Sequence, residues 1–171
     1  MKLRLAVLED LPELKIMFQK IITQMYNNSI KIWNEFYPYE EFEGDIIRNN
    51  LYLLTSKEVI VAVFGLYDSI TGYEAFEWKD KKANALYLGR LGVNTNFLRK
   101  GIGSLILDHT QNIAIKKDKT FIRLLVSDEN TPAIKLYKKN GFIKVPGTYC
   151  EFSEASNKNI VELGFEKEVI L

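Results

Sequence analysis

The run Leu91-Gly92-Val93-Asn94-Thr95-Asn96-Phe97-Leu98-Arg99-Lys100-Gly101-Ile102-Gly103-Ser104 carries the residues best suited to chemistry in this chain. An apolar segment ends, the chain turns through polar residues, and a basic, glycine-punctuated loop opens into a helical pattern. The first N–H groups of a helix have no intrahelical partner and form the positive end of its dipole. Glycines let an anion approach that backbone, and Arg99 and Lys100 add formal charge. The spacing predicts a phosphate or pyrophosphate site. A nucleoside-triphosphate loop would need Gly-Lys-Ser or Gly-Lys-Thr after a glycine and four residues, and Lys100 precedes Gly101 instead. A dinucleotide fingerprint would need a small residue where Ile106 stands, after a strand near the N-terminus. Both readings fail.

A second string lies about thirty residues on: Val126-Ser127-Asp128-Glu129-Asn130-Thr131-Pro132-Ala133-Ile134-Lys135-Leu136-Tyr137-Lys138-Lys139-Asn140-Gly141-Phe142. Together with Arg99-Lys100-Gly101-Ile102-Gly103 after an apolar strand, it resembles the signature of the GCN5-related N-acetyltransferases, the GNAT superfamily. The resemblance runs from about Leu3 to Val169. It implies acetyl-CoA (coenzyme A) as cofactor and direct attack by a substrate amine on the thioester in a ternary complex. Backbone at Leu91, Gly92 and Val93 would hold the pantetheine arm. The amides of Leu98, Arg99, Lys100, Gly101, Ile102, Gly103 and Ser104 would cradle the pyrophosphate. Asn130, Ala133 and Tyr137 would contact the cofactor, with Tyr137 as general acid. Leu98 departs from the pattern, which places Arg or Gln there.

Two protons must move in such a reaction. A thiol with pKa about 8.5 leaves readily, and a tyrosine with pKa about 10 can protonate it. A lysine-like amine with pKa about 10.4 must first lose a proton, which at pH 7 costs about 4.6 kcal/mol. That is the larger barrier, and the sequence names no obvious base. Among Glu77, Glu74, Asp80 and Glu35, Glu77 ranks first because it precedes the cofactor strand. Trp33, Glu35 and Tyr37 fall in an aromatic, acidic segment suited to a substrate wall. Tyr137 could equally be core, Asn130 could equally cap a helix, and the glycines could serve a turn. His109 reads as a structural helix residue, and Cys150 lacks an evident histidine partner.

These residues need elements to position them. Leu3–Leu8 reads as a strand. Asp10, Pro12 and Glu13 then read as a capped helix start, followed by apolar residues from Leu11 to Met25 at helical spacing. A helix is expected over Tyr39–Asn49, and strands over Leu51–Thr55, Val59–Tyr67 and Ala85–Val93. A helix from Ile102 to about Lys117, a strand at Phe121–Val126 and a helix from Pro132 to Asn140-Gly141 follow. Strands near Phe142–Val145 and Val161–Val169 close the chain, with a polar loop between them. The expected class is α+β (mixed α/β): a mixed sheet of six to seven strands with a parallel centre, flanked by about four helices.

The 171 residues, 47% hydrophobic and 26% charged, are expected to form a single N-acetyltransferase domain over 1–171. A net charge of +1 gives no field for nucleic acid, and no apolar run approaches a membrane span. The N-terminus lacks a secretory pattern and Cys150 stands alone, so the expected setting is the cytoplasm. No metal site is expected. The expected acceptor is a primary amine of a small molecule. Alternatives are a protein or peptide N-terminus or lysine, and a non-catalytic acyl-CoA sensor. The resemblance also leaves a homodimer open.

Overall fold

The computed structural model describes residues 1–154 and 156–170. Eight strands form one sheet in the order β1-β2-β3-β4-β5-β8-β6, with β7 also paired to β8. They are β1 (Lys2–Leu5), β2 (Leu51–Ser56), β3 (Val59–Tyr67), β4 (Ala85–Val93), β5 (Phe121–Ser127), β6 (Ile143–Lys144), β7 (Tyr149–Ser153) and β8 (Lys158–Glu168). The helices are α1 (Leu11–Asn27), α2 (Tyr39–Ile47), α3 (Ile102–Lys116) and α4 (Thr131–Lys139). Among the described residues only β4 and β5 run parallel, and α3 is the crossover that a parallel pair requires.

Each face of the sheet has its own core. On one side Leu51, Leu53, Ile60 and Val63 pack with Leu14, Phe18 and Phe42 from α1 and α2. On the other, Leu54, Ala62, Phe64, Leu86 and Leu88 pack with Ile102, Ile106 and Tyr137 from α3 and α4. The period of two along a strand separates the neighbours Leu53 and Leu54 in this way. Among the described residues, no helix is long and apolar enough to cross a membrane.

Three expectations change. β1 ends at Leu5, and a 3-10 turn at Leu8–Asp10 leads straight into α1. Asp10 therefore has helical dihedral angles and makes no side-chain cap for α1. Its carboxylate accepts instead from Val7 N (2.8 Å) and from both terminal nitrogens of Arg4 (2.7 Å each). Glu13 does not close a capping box either: its Oε1 accepts from Ile60 N (2.9 Å), tying α1 to β3. The expected polar loop contains β7, which raises the strand count to eight. Its residues are mostly exposed on an edge, so they lack the apolar alternation that marks a strand in sequence.

Candidate active site

β4 and β5 are joined only at Ala85↔Phe121, Leu86↔Ile122 and Tyr87↔Arg123. Beyond Tyr87 the strands part, leaving the β5-facing edge of β4 open. Leu91 of β4 and Leu125, Val126 and Ser127 of β5 border a cleft of about 1070 Å³ at this opening. On its other edge β4 bulges: Val63 pairs with Gly92 and Gly65 with Gly89, so Arg90 and Leu91 together face Phe64. Arg90 takes a left-handed conformation there (φ 50°), uncommon for a residue with a Cβ. Bulges re-aim side chains beside functional sites, and this one brings Arg90 to the cleft.

The glycine loop forms the N-terminus of α3. Gly101 (φ 75°) and Arg99 (φ 60°) are left-handed, and an added Cβ at Gly101 would meet nothing within 4 Å. The first helical hydrogen bond runs from Leu105 N to Gly101 O (3.1 Å), so the N–H groups of Ile102, Gly103 and Ser104 precede the ladder. Lys100 bends back, its Nζ donating to Asn96 O (3.0 Å) and lying 5.1 Å from the Phe97 ring centre. Leu98 is partly exposed at the surface.

Two other glycines serve packing. A Cβ at Gly103 would come within 2.7 Å of Leu136 Cδ2 on α4, and one at Gly92 within 2.8 Å of Phe18 Cζ on α1. Asn140 Nδ2 donates to Ser104 Oγ (3.1 Å) and to Leu136 O (2.8 Å), fastening the start of α3 to the end of α4. Leu136 borders the cleft, so this joint connects the glycine loop to the cleft wall.

α4 supplies Asn130, Ala133 and Tyr137 to the cleft. Asn130 Oδ1 caps the helix by accepting from Ala133 N (3.3 Å), which leaves its amide NH2 end free of the cap. Tyr137 is 7% exposed and packs on Phe142 and Phe165, with ring centres 5.8 and 6.4 Å away. Burial, and then the charge of Glu162, push its hydroxyl pKa far up, so the phenol keeps its proton.

Of the substrate residues expected from sequence, Trp33 and Tyr37 border the cleft. Glu35 is exposed and Glu77 is exposed, and neither is among the residues that border it. The segment of Glu77 is tied to the connection between β6 and β7, Glu77 N donating to Pro146 O (2.9 Å). Glu74 does border the cleft.

The structure adds residues that sequence reasoning passed over. Glu162 of β8 pairs with Ser127 on one side and Tyr149 on the other, and borders the cleft. Burial, then Glu151 and Asp128, raise its pKa to about 7. Arg90 Nη1 donates to Asp45 Oδ2 (2.7 Å) and to the Tyr67 hydroxyl, and its Nη2 stands 3.4 Å from Glu41. Gly65 and Gly89 leave the space in which the Tyr67 ring lies. A carboxylate inside the apolar alternation of β8 was the one sequence signal available for Glu162. Arg90 and Asp45 left none, because their pairing spans 45 positions.

A sequence profile of the acetyltransferase (GNAT) family matches residues 22–142. An acetyltransferase of that family from Streptococcus agalactiae superposes with a TM-score of 0.80 at 16% identity, over 99% of this chain and 96% of that one. The ribosomal-protein-S18-alanine N-acetyltransferase of Escherichia coli gives a TM-score of 0.69 at 15% identity, over 99% and 94%. A Salmonella typhimurium structure solved with its cofactor acetyl-CoA gives 0.66 at 12% identity, over 99% and 94%.

Proposed function

Since the chain belongs to the acetyltransferase (GNAT) family, whose members bind acetyl-CoA, we propose that residues 1–171 act as one domain that acetylates the primary amine of a small molecule. The observation that carries this reading is a pair of proton-handling groups on the same cleft. Glu162, with pKa about 7, lies close enough to the buried Tyr137 for its charge to act on the phenol.

The residues present fit the cofactor. The unladdered N–H groups at the start of α3 and the left-handed Gly101 suit a pyrophosphate. The open edge of β4 at Leu91 to Val93 suits the amides of a pantetheine arm. Asn130, Ala133 and Tyr137 would stand near its thiol end. When bound, acetyl-CoA supplies an acetyl thioester, whose carbonyl carbon bonds to the amine nitrogen as the C–S bond breaks.

Glu162 takes over the role that sequence reasoning gave to Glu77. A carboxylate at its ordinary pKa of 4.5 is a poor match for an ammonium near 10.4. Raising Glu162 to about 7 closes part of that gap, on the order of 3 kcal/mol. It also brings the base near working pH, where general-base catalysis is most effective. Tyr137 Oη, kept protonated by burial, is the hydrogen-bond donor that steadies the departing sulfur. The Arg90–Asp45–Tyr67 cluster holds the acceptor side of the cleft rigid.

The test is thiol release from acetyl-CoA against a panel of polyamines, amino acids, aminoglycosides and short peptides. Amine-dependent release with small amines is expected. Tight acetyl-CoA binding with no release for any amine would overturn the reading in favour of a sensor. Release with peptides alone would move the acceptor to a protein.

A further inference from the structure

β7 presents Tyr149, Glu151 and Ser153 on one face, paired with Glu162, Ile160 and Lys158 of β8. All three border the cleft, as do Ile160 and Glu162. Glu151 is a diagonal neighbour of Glu162 across the ladder. Such positions lie about 7–8 Å apart, and like charges across a ladder destabilise it. Among the described residues, Glu74, Glu151, Glu154 and Glu162 have no cationic partner. The two arginines of the cleft are already engaged: Arg90 with Asp45 and Glu41, and Arg48 with Asp45 (3.2 Å). Lys158, opposite Ser153, turns to Glu129.

A separate observation falls at the same end of the cleft. The Oγ of Ser153 is buried and has no hydrogen-bond partner among the described residues, and the residue is only 7% exposed. An orphaned buried hydroxyl is unfavourable unless a ligand satisfies it. An ammonium group offers three donors, and the hydroxyl oxygen can accept one of them. Tyr37, Trp33 and Tyr149 border the same cleft and offer aromatic faces for a cation.

We propose that the acceptor is a diamine: one amino group reacts beside Glu162, and a second, still charged, is held by Glu151 with Ser153 Oγ. The inference rests on the transferase reading given above. An alkyl chain of four or five carbons separates its terminal nitrogens by about 6–8 Å, the spacing of the two carboxylate positions. A carboxylate in place of the second ammonium would meet Glu151 and be repelled.

The test compares 1,5-diaminopentane, 1-aminopentane and 5-aminopentanoate as acceptors, with a parallel calorimetric titration of each. The diamine should exceed the monoamine at least 30-fold in kcat/KM and the amino acid by more. Glu151→Gln should reduce the diamine-to-monoamine ratio at least tenfold in kcat/KM and in affinity, and Glu151→Asp should retain most of it. Equal use and equal binding of diamine and monoamine would overturn the inference. Selective diamine binding, lost in Glu151→Gln but without acetyl transfer, would uphold the subsite and overturn the transferase reading alone.

Discussion

Arg90 Nη1 donates to Asp45 Oδ2 across 2.7 Å, fastening the bulge of β4 to the buried face of α2. Asp45 is 1% exposed, and it accepts from Tyr67 Oη (2.8 Å) at the same oxygen. A buried carboxylate is thereby neutralised by a half-buried guanidinium at the acceptor side of the cleft. Removing one partner strands the other, which costs about 3–5 kcal/mol when both are buried. Asp45→Ala is expected to destabilise the fold by about 3 kcal/mol in urea denaturation. It should also raise KM for the amine more than for acetyl-CoA, because Arg90 and Tyr67 lose their fixed positions. Equal stability would show that Arg90 finds its full partnership in Glu41.

Glu162→Gln should lower kcat by about 10²–10⁴-fold, the range for loss of a general base. In the wild type, kcat/KM should fall tenfold per pH unit below about 7 as Glu162 takes up its proton. The variant should lack that limb. A limb near 7 that persists in Glu162→Gln would assign the titration to another group.

The same carboxyl predicts the pH dependence of stability. Its folded pKa is raised, so between 4.5 and about 7 the folded chain holds a proton that the unfolded chain releases. Stability therefore declines as pH rises through that window and levels off above it. Glu162→Gln, which has no charge to bury, should be more stable than the wild type at pH 8, by up to about 3 kcal/mol. The two proteins should converge near pH 4. Chemical denaturation at the two pH values decides this.

Tyr137→Phe removes one oxygen from a site packed by Phe142 and Phe165, so the fold should tolerate it. Turnover should fall about 10²-fold while acetyl-CoA affinity stays within twofold, the pattern of a group that acts only on the leaving thiol. Unchanged turnover would remove Tyr137 from that role.

The two glycines of the loop should separate. Gly101→Ala forces a Cβ into a left-handed conformation, about 1–2 kcal/mol of strain, in open space. Its main effect should be weaker acetyl-CoA binding through a shifted loop. Gly103→Val meets Leu136 and should lower Tm by several degrees as well as affinity, because it pries α3 from α4. A Tm loss confined to Gly101→Ala would reverse these assignments.

Much of the site could be read from the chain because it is local. The basic glycine loop, the helix that follows it and the Asn130 to Phe142 string each act within a few turns of backbone. Residue spacing therefore predicted an anion site, and the resemblance to the acetyltransferase family named the donor. Trp33 and Tyr37 were legible for the same reason, as a compact aromatic segment. Glu77 ranked first among the acids that precede the cofactor strand in sequence, but its segment is tied to Pro146 and it is not among the residues that border the cleft. Gly103 read as part of the pyrophosphate cradle and Gly92 as part of the pantetheine-holding backbone. Only the approach of Leu136 and Phe18 shows that they make room for neighbouring helices.

The sequence by itself determined the helices and the long apolar strands, since periodicity is a short-range property, and its two strings carried the resemblance that implied the thioester donor. Tertiary structure decided which carboxylate borders the cleft with a raised pKa. Glu162 acquires its pKa from the register that sets it opposite Ser127 and Tyr149, beside Glu151 and under the burial of a cleft built from distant segments. Arg90, Asp45 and Tyr67 meet only because a bulge turns one strand toward one helix. Charge burial and cross-strand pairing depend on which distant residues become neighbours, and no local pattern encodes that.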